Sequence, residues 1–170
     1  MRALVVYESM YGNTRLIAEA IASGLARHLD VKLFEVGVAP HLDPSVDLVV
    51  IGGPTHAFGM SRANSRKSAA GQSEQPLVSQ GIGIREWLAR IGPTSTPVAA
   101  AAFDTRINKP RMPGSAAAVA QRRLRRLGYL PVGPESFYVD GSTGPVVAGE
   151  CERARRWGEE LVSKVAPVNA

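Results

Sequence analysis

Five apolar runs punctuate the chain, at Ala3–Tyr7, Val31–Val36, Asp47–Ile51, Pro97–Phe103 and about Leu130–Val139. The first, third and fourth are nearly unbroken in Val, Leu, Ile and Ala, the pattern of strands covered on both faces of a parallel sheet. Between the runs the apolar residues recur at helical spacing. Ile17, Ala20, Ile21, Gly24, Leu25 and Leu29 form one stripe. Ala117, Ala120, Leu124 and Leu127 form another, with Arg122, Arg123, Arg125 and Arg126 pointing away. Cys151, Ala154, Trp157, Leu161, Val162 and Val165 make the last, and a shorter helix covers Ile84–Ile91. Alternating β and α segments predict a doubly wound α/β sheet with helices on both faces. Five strands favour the order 2-1-3-4-5, in which ligands bind at the carboxyl ends of strands 1 and 3. One domain over residues 1–166 is expected, with 167–170 as a tail. The connection from Gly52 to about Gly83 is long for a compact domain. Its ends read as ordered, and its middle, residues 61–75, as a mobile insert.

Composition narrows the class. The chain has 170 residues, 45% hydrophobic and 21% charged, as in a globular protein with a real core. No apolar stretch approaches the roughly 20 residues that cross a bilayer, and no export leader is recognisable. Cys151 is the only cysteine, so neither a disulfide framework nor a multi-cysteine metal site is expected. A cytoplasmic location follows as an expectation. The 20 basic residues exceed the 15 acidic ones by five. They cluster at Arg62, Arg66 and Lys67, at Arg106, Lys109 and Arg111, and at the four arginines from Arg122 to Arg126. With no helix-turn-helix, zinc finger or RNA-binding aromatic pair, solvated faces are a better reading of these clusters than nucleic-acid binding.

Three loops carry the chemistry. The first strand feeds Ser9-Met10-Tyr11-Gly12-Asn13-Thr14, which opens the first helix. Such a turn aims unpaired backbone N–H groups, hydroxyls and the positive end of the helix dipole at one point, where a phosphate fits. No lysine or arginine lies within it, so binding there relies on dipoles and hydroxyls. The third strand leads into Gly52-Gly53-Pro54-Thr55-His56-Ala57-Phe58-Gly59, where backbone can approach a flat ligand and Phe58 offers a stacking face. The fourth leads into Phe103-Asp104-Thr105-Arg106. In the expected strand order all three share one edge, a crevice for a ligand with a phosphate at one end and a polar ring system at the other.

In these motifs the chain resembles the flavodoxin family, and the likeness spans nearly its whole length. Ser9-x-x-Gly12-Asn13-Thr14 is similar to the family's phosphate loop. Gly53-Pro54-Thr55-x-x-Phe58-Gly59 resembles the flavin-ring loop of the flavodoxin-like quinone reductases. Phe137-Tyr138-Val139-x-Gly141 and the stretch from Gly149 to Gly158 also resemble the fold. The resemblance implies non-covalent FMN, its phosphate held by Ser9, Tyr11, Gly12, Asn13 and Thr14. Pro54, Thr55, His56, Phe58 and Gly59 would line one side of the ring, and Phe103, Asp104, Thr105 and Arg106 the other. Two departures stand out. Electron-carrier flavodoxins usually place a tyrosine in the strand-4 loop, where the nearest aromatic here is Phe103. They are also typically acidic, whereas this chain is basic, and Arg106 beside the ring would raise the reduction potential.

Other chemistries find little support. There is no Walker A motif, no Gly-x-Ser-x-Gly elbow and no phospho-accepting aspartate after strand 3. His28, His41 and His56 are far apart in sequence, and no metal site is expected. Cys151 and Trp157 on the last stripe, and Trp87 at the start of the short helix, read as core. Tyr11 would either screen the ribityl chain or form an exposed tip. The expected function is electron transfer through FMN with a redox partner protein or a small acceptor such as a quinone. No catalytic residue is assigned. The alternatives are an NAD(P)H-dependent FMN quinone reductase, a class that tends to oligomerise, and a flavin-free interaction module of the same fold.

Overall fold

The computed structural model describes residues 1–109 and 111–165; the expected tail 167–170 lies outside the described residues. In chain order the elements are β1 (Arg2–Tyr7), α1 (Asn13–Leu25), β2 (Asp30–Glu35), β3 (Leu48–His56), β4 (Gly59–Met60), α2 (Ala63–Gly71), α3 (Ile84–Ile91), β5 (Ala99–Ile107), α4 (Ala116–Arg126), β6 (Leu130–Val139) and α5 (Glu150–Val165). The sheet runs β2-β1-β3-β5-β6, every pair parallel, which is the expected 2-1-3-4-5 order of five long strands. The two-residue β4 folds back antiparallel on the end of β3.

Both faces of the sheet are covered, which explains the unbroken apolar runs. On one face Val5, Val50, Ala101 and Phe103 pack with Ile17 and Ile21 of α1 and with Ala154, Trp157 and Leu161 of α5. On the other, Val6, Val49, Ile51 and Ala102 pack with Trp87 and Leu88 of α3 and with Ala117, Ala120 and Leu124 of α4. Helices α1 and α5 cross so closely that a Cβ on Gly24 would sit 2.0 Å from the Arg155 carbonyl oxygen. Glycine is the one residue that fits there.

Three features differ from expectation, each for a local reason. Strands β3 and β5 continue through the segments read as loops, because Gly53 pairs with Asp104 and Pro54 with Thr105 beyond the apolar runs. Polar residues buried between neighbouring strands left no hydrophobic signal. The middle of the long connection holds a nine-residue helix, α2, with a short apolar contact where Ala69 meets Met10 and Leu77. Cys151 is exposed rather than buried. Glu150 takes the inward position in the first turn of α5, accepting hydrogen bonds from the Tyr138 amide (2.8 Å) and from Arg153 (2.8 Å). Trp87 and Trp157 are core residues, as expected.

Candidate functional site

The turn after β1 is built from backbone and small hydroxyls. The Ser79 and Val78 amides donate to the Ser9 and Met10 carbonyls (2.8 and 2.9 Å), and the Ser9 amide donates to Ser79 Oγ (3.0 Å). Returning chain thus clamps the turn from outside. Gly12 takes φ +99°, a left-handed conformation that suits glycine, and its amide donates to Ser9 Oγ (3.1 Å). Helix α1 then starts with no side-chain cap, and the Asn13, Thr14 and Arg15 amides have no partner among the described residues. A 13-residue helix therefore presents its bare positive end at the carboxyl edge of the sheet.

That end opens into a cavity of about 310 Å³, at the small end of the roughly 300–1,000 Å³ typical of small-molecule sites. Nine of the expected residues line it: Ser9, Tyr11, Asn13, Thr14, Pro54, Thr55, His56, Thr105 and Arg106. Ala57, Ile107, Val139, Gly141 and Ser142 complete the strand-end walls. Helix α2 supplies Ser65, Ser68 and Ala69, and its C-cap residue Gln72 follows. The α2 residues escaped the sequence reading, since an amphipathic stripe is nearly absent from that helix; the length of the connection was the available signal. Among the described residues no carboxylate lines the cavity, which favours an anionic ligand.

Individual roles are more specific than the motifs implied. The Thr14 and Thr105 hydroxyls lie 2.7 Å apart, one donating a hydrogen bond to the other. Asn13 Nδ2 donates to the Thr143 carbonyl (3.1 Å), so its amide closes the turn against the 141–144 loop. Tyr11 is half-buried, and its hydroxyl donates to the Ala69 carbonyl (2.9 Å), pinning α2 over the turn. His56 Nδ1 lies 3.1 Å from Ser65 Oγ. Burial, with the Arg66 charge adding, holds the imidazole below its usual pKa, so it is neutral at neutral pH. The Arg106 guanidinium is tethered to the Met112 carbonyl at the cavity rim.

Five expected residues do not line the cavity. Gly12 shapes the turn without facing it. Phe103 is buried in β5, its ring beneath Gly52 and edge-on to Phe137 at 6.4 Å. Asp104 is fully buried on the α4 side. Its Oδ2 accepts from Thr55 Oγ1 (3.0 Å), Ser115 Oγ (2.6 Å) and the Ala117 amide (3.0 Å), so it anchors the start of α4 to β3. Gly59 pairs with His56 across the hairpin and faces Val119 of α4. Phe58, at the hairpin apex, is 62% exposed and points off the cavity. Strict alternation along a strand explains Phe103 and Asp104: once β5 extends to Ile107, each consecutive side chain changes face.

Behind the site lies a buried carboxylate. Glu8 accepts from Ser61 Oγ and from the Ile84 amide (2.9 Å), beside Arg66, whose guanidinium pairs with Glu86 (2.7 Å). Burial outweighs these contacts and raises the Glu8 pKa. A Cβ on Gly83 would sit 2.6 Å from both Arg66 and Glu8, so this knot requires glycine there.

This architecture defines a flavodoxin-like α/β protein with an uncapped helix terminus at its sheet edge. The family model described as Flavodoxin matches residues 5–83, the span from β1 to the start of α3, and the resemblance read from the motifs is borne out. Solved structures align over nearly the whole chain. A flavodoxin from the domain Archaea aligns with a TM-score of 0.67 at 20% identity, over 98% of this chain and 100% of its own. A flavodoxin from Streptococcus pneumoniae gives 0.68 at 19%, over 96% and 99%. A WrbA-like flavodoxin protein from Agrobacterium tumefaciens gives 0.60 at 18%, over 96% of each. No curated protein sequence matches.

Proposed function

We propose that the protein binds FMN without covalent attachment in the cavity above α1 and passes electrons through it between a reduced donor and an acceptor. The bare N-terminus of α1, with the Ser9 and Thr14 hydroxyls beside it and no carboxylate in the walls, carries this reading. The phosphate would meet the Asn13, Thr14 and Arg15 amides and those hydroxyls, a charge-assisted set that needs no lysine. The ring would lie toward the end of β3 and the hairpin, between Pro54–Ala57 and the Thr105–Ile107 strand end. Bound there, FMN supplies reversible one- and two-electron chemistry that no side chain of this chain provides. The protein's own part is placement and field. Tyr11 holds α2 across the opening and limits water, neutral His56 adds a hydrogen-bonding edge, and Arg106 contributes a fixed positive charge at the rim. The Flavodoxin match over the phosphate turn and the β3 hairpin supports the same assignment.

Stoichiometric titration of the apoprotein with FMN, followed by flavin fluorescence quenching, tests it. Saturation at one FMN per chain with sub-micromolar affinity is expected. Affinity no better than for free ribose 5-phosphate contradicts it. Steady oxidation of NADPH with a quinone and no added reductase would move the assignment to the quinone reductase class.

A further inference from the structure

The charges of this chain are divided between its two helical layers. On the α1/α5 layer every arginine in the ion-pair network meets a carboxylate. Arg15 pairs with Glu19 (2.8 Å), Arg27 with Glu159 (2.6 Å), Arg153 with Glu150 (2.8 Å) and Arg155 with Glu152 (2.6 Å). On the α3/α4 layer the pairing stops at Arg66–Glu86. Helix α4 carries four arginines and no acid. Among the described residues neither they nor Arg62 and Arg85 have an ion-pair partner.

These arginines converge. A groove of about 580 Å³ runs between α3 and α4, floored by Met60 and Val119 and walled by Arg85, Arg122, Arg123 and Arg126. The Arg85 guanidinium is oriented by the Met60 and Ser61 carbonyls (3.0 and 3.3 Å). Burial comes first, and then the nearby Arg62 and Arg123 charges, in lowering the Arg85 pKa. Glu86 is the one carboxylate that acts on Arg85; arginines held together without ion-pair partners repel one another, and an acidic partner relieves that repulsion. The groove adjoins the hairpin that walls the cavity. Gly59 of β4 faces Val119 of α4, and Phe58 stands 62% exposed at the apex with φ +69°. An exposed aromatic at the rim of an arginine face has the composition of an interface hot spot.

We propose that the α3/α4 face, from Phe58 across Arg85 to Arg126, is the docking surface for an acidic redox protein. It would receive the partner's carboxylates beside the hairpin that leads to the electron-transfer cavity. The identity of the partner as a redox protein rests on the FMN reading; the charge preference does not. Electrostatic docking of this kind speeds encounter and weakens steeply with salt.

The test is calorimetric titration of the full chain, apo and FMN-loaded, with an acidic plant-type [2Fe–2S] ferredoxin as probe. Binding at about 20 mM salt that weakens about tenfold or more near 200 mM is expected. Arg122→Glu with Arg126→Glu, both exposed, should weaken low-salt binding about tenfold or more. Arg156→Glu with Lys164→Glu, an equal charge change on α5, should alter it less than about twofold. Absence of low-salt binding overturns the proposal, as does equal loss in both variants. Tighter, α4-dependent binding to a DNA duplex or to phosphatidylserine vesicles also overturns it, in favour of a different partner class. Arginine-dependent ferredoxin binding by a chain that takes up no FMN would leave this surface standing and remove the flavin reading.

Discussion

Thr14 Oγ1 and Thr105 Oγ1 meet at 2.7 Å, joining the first turn of α1 to the end of β5 across the mouth of the sheet. The contact fixes the bare helix terminus relative to the strand end that forms the opposite wall. It also leaves one hydroxyl of the pair with its proton directed elsewhere, available to an anion. Thr14→Val combined with Ser9→Ala should therefore weaken FMN by about 100-fold or more, since each hydrogen bond to a charged group contributes about 1.5–3 kcal/mol. Riboflavin, which lacks the phosphate, should lose little. Parallel fluorescence titrations of both ligands check this, and equal losses would remove the phosphate role.

Asp104 is structural. One carboxylate oxygen holds two hydroxyls and a helix amide, while Oδ1 is buried with no partner among the described residues. Asp104→Ala strands Thr55, Ser115 and the Ala117 amide and should cost about 2–4 kcal/mol in urea unfolding. A loss below about 0.5 kcal/mol would show that α4 is held by its apolar face alone.

Glu8 sets a pH dependence of definite sign. Its folded pKa lies above the ordinary carboxylate value because burial disfavours the charge. The folded state thus binds the proton more tightly than the unfolded state, and stability falls as pH rises from that ordinary value through the raised one. Glu8→Gln has no such term. The stability of wild type relative to Glu8→Gln should decline with increasing pH across that window. Chemical denaturation at stepped pH reads this directly, and a difference that grows with pH contradicts it.

Arg106 brings a positive charge to the cavity rim, tethered through Met112. At about 8 Å and an effective dielectric near 20, one charge is worth about 2 kcal/mol, or about 90 mV for a one-electron couple. Arg106→Ala should lower the midpoint potential of the bound flavin by tens of millivolts. A potential that stays put in a redox titration would place Arg106 outside the field of the ring.

The sheet was legible because burial on both faces leaves an unmistakable signal: Ala3–Tyr7 and Asp47–Ile51 have no polar residue pointing outward after the first position. The turn after β1 was legible too, because Gly12 and the hydroxyls of Ser9 and Thr14 stand between an apolar run and a helical stripe. What escaped was anything set by polar contacts within the fold. Asp104 reads as a loop residue until its strand is extended, after which its side chain turns toward α4. Cys151 lies on the flank of a stripe whose centre Glu150 shares, stabilised inside by Arg153 and the Tyr138 amide. Helix α2 buries only Arg66 and Ala69, so no periodicity announced it. Likewise, the four arginines of α4 looked like a solvated face in isolation; only the pairing of the other layer's arginines sets them apart. Among the described residues no helix is long and apolar enough to cross a membrane.

The most direct measurement is the visible absorption spectrum of the purified protein after incubation with FMN and removal of the unbound ligand. Retained flavin bands in one-to-one ratio with the chain, released as FMN by acid, are the predicted result. A colourless protein whose spectrum is unchanged by saturating FMN would contradict the account.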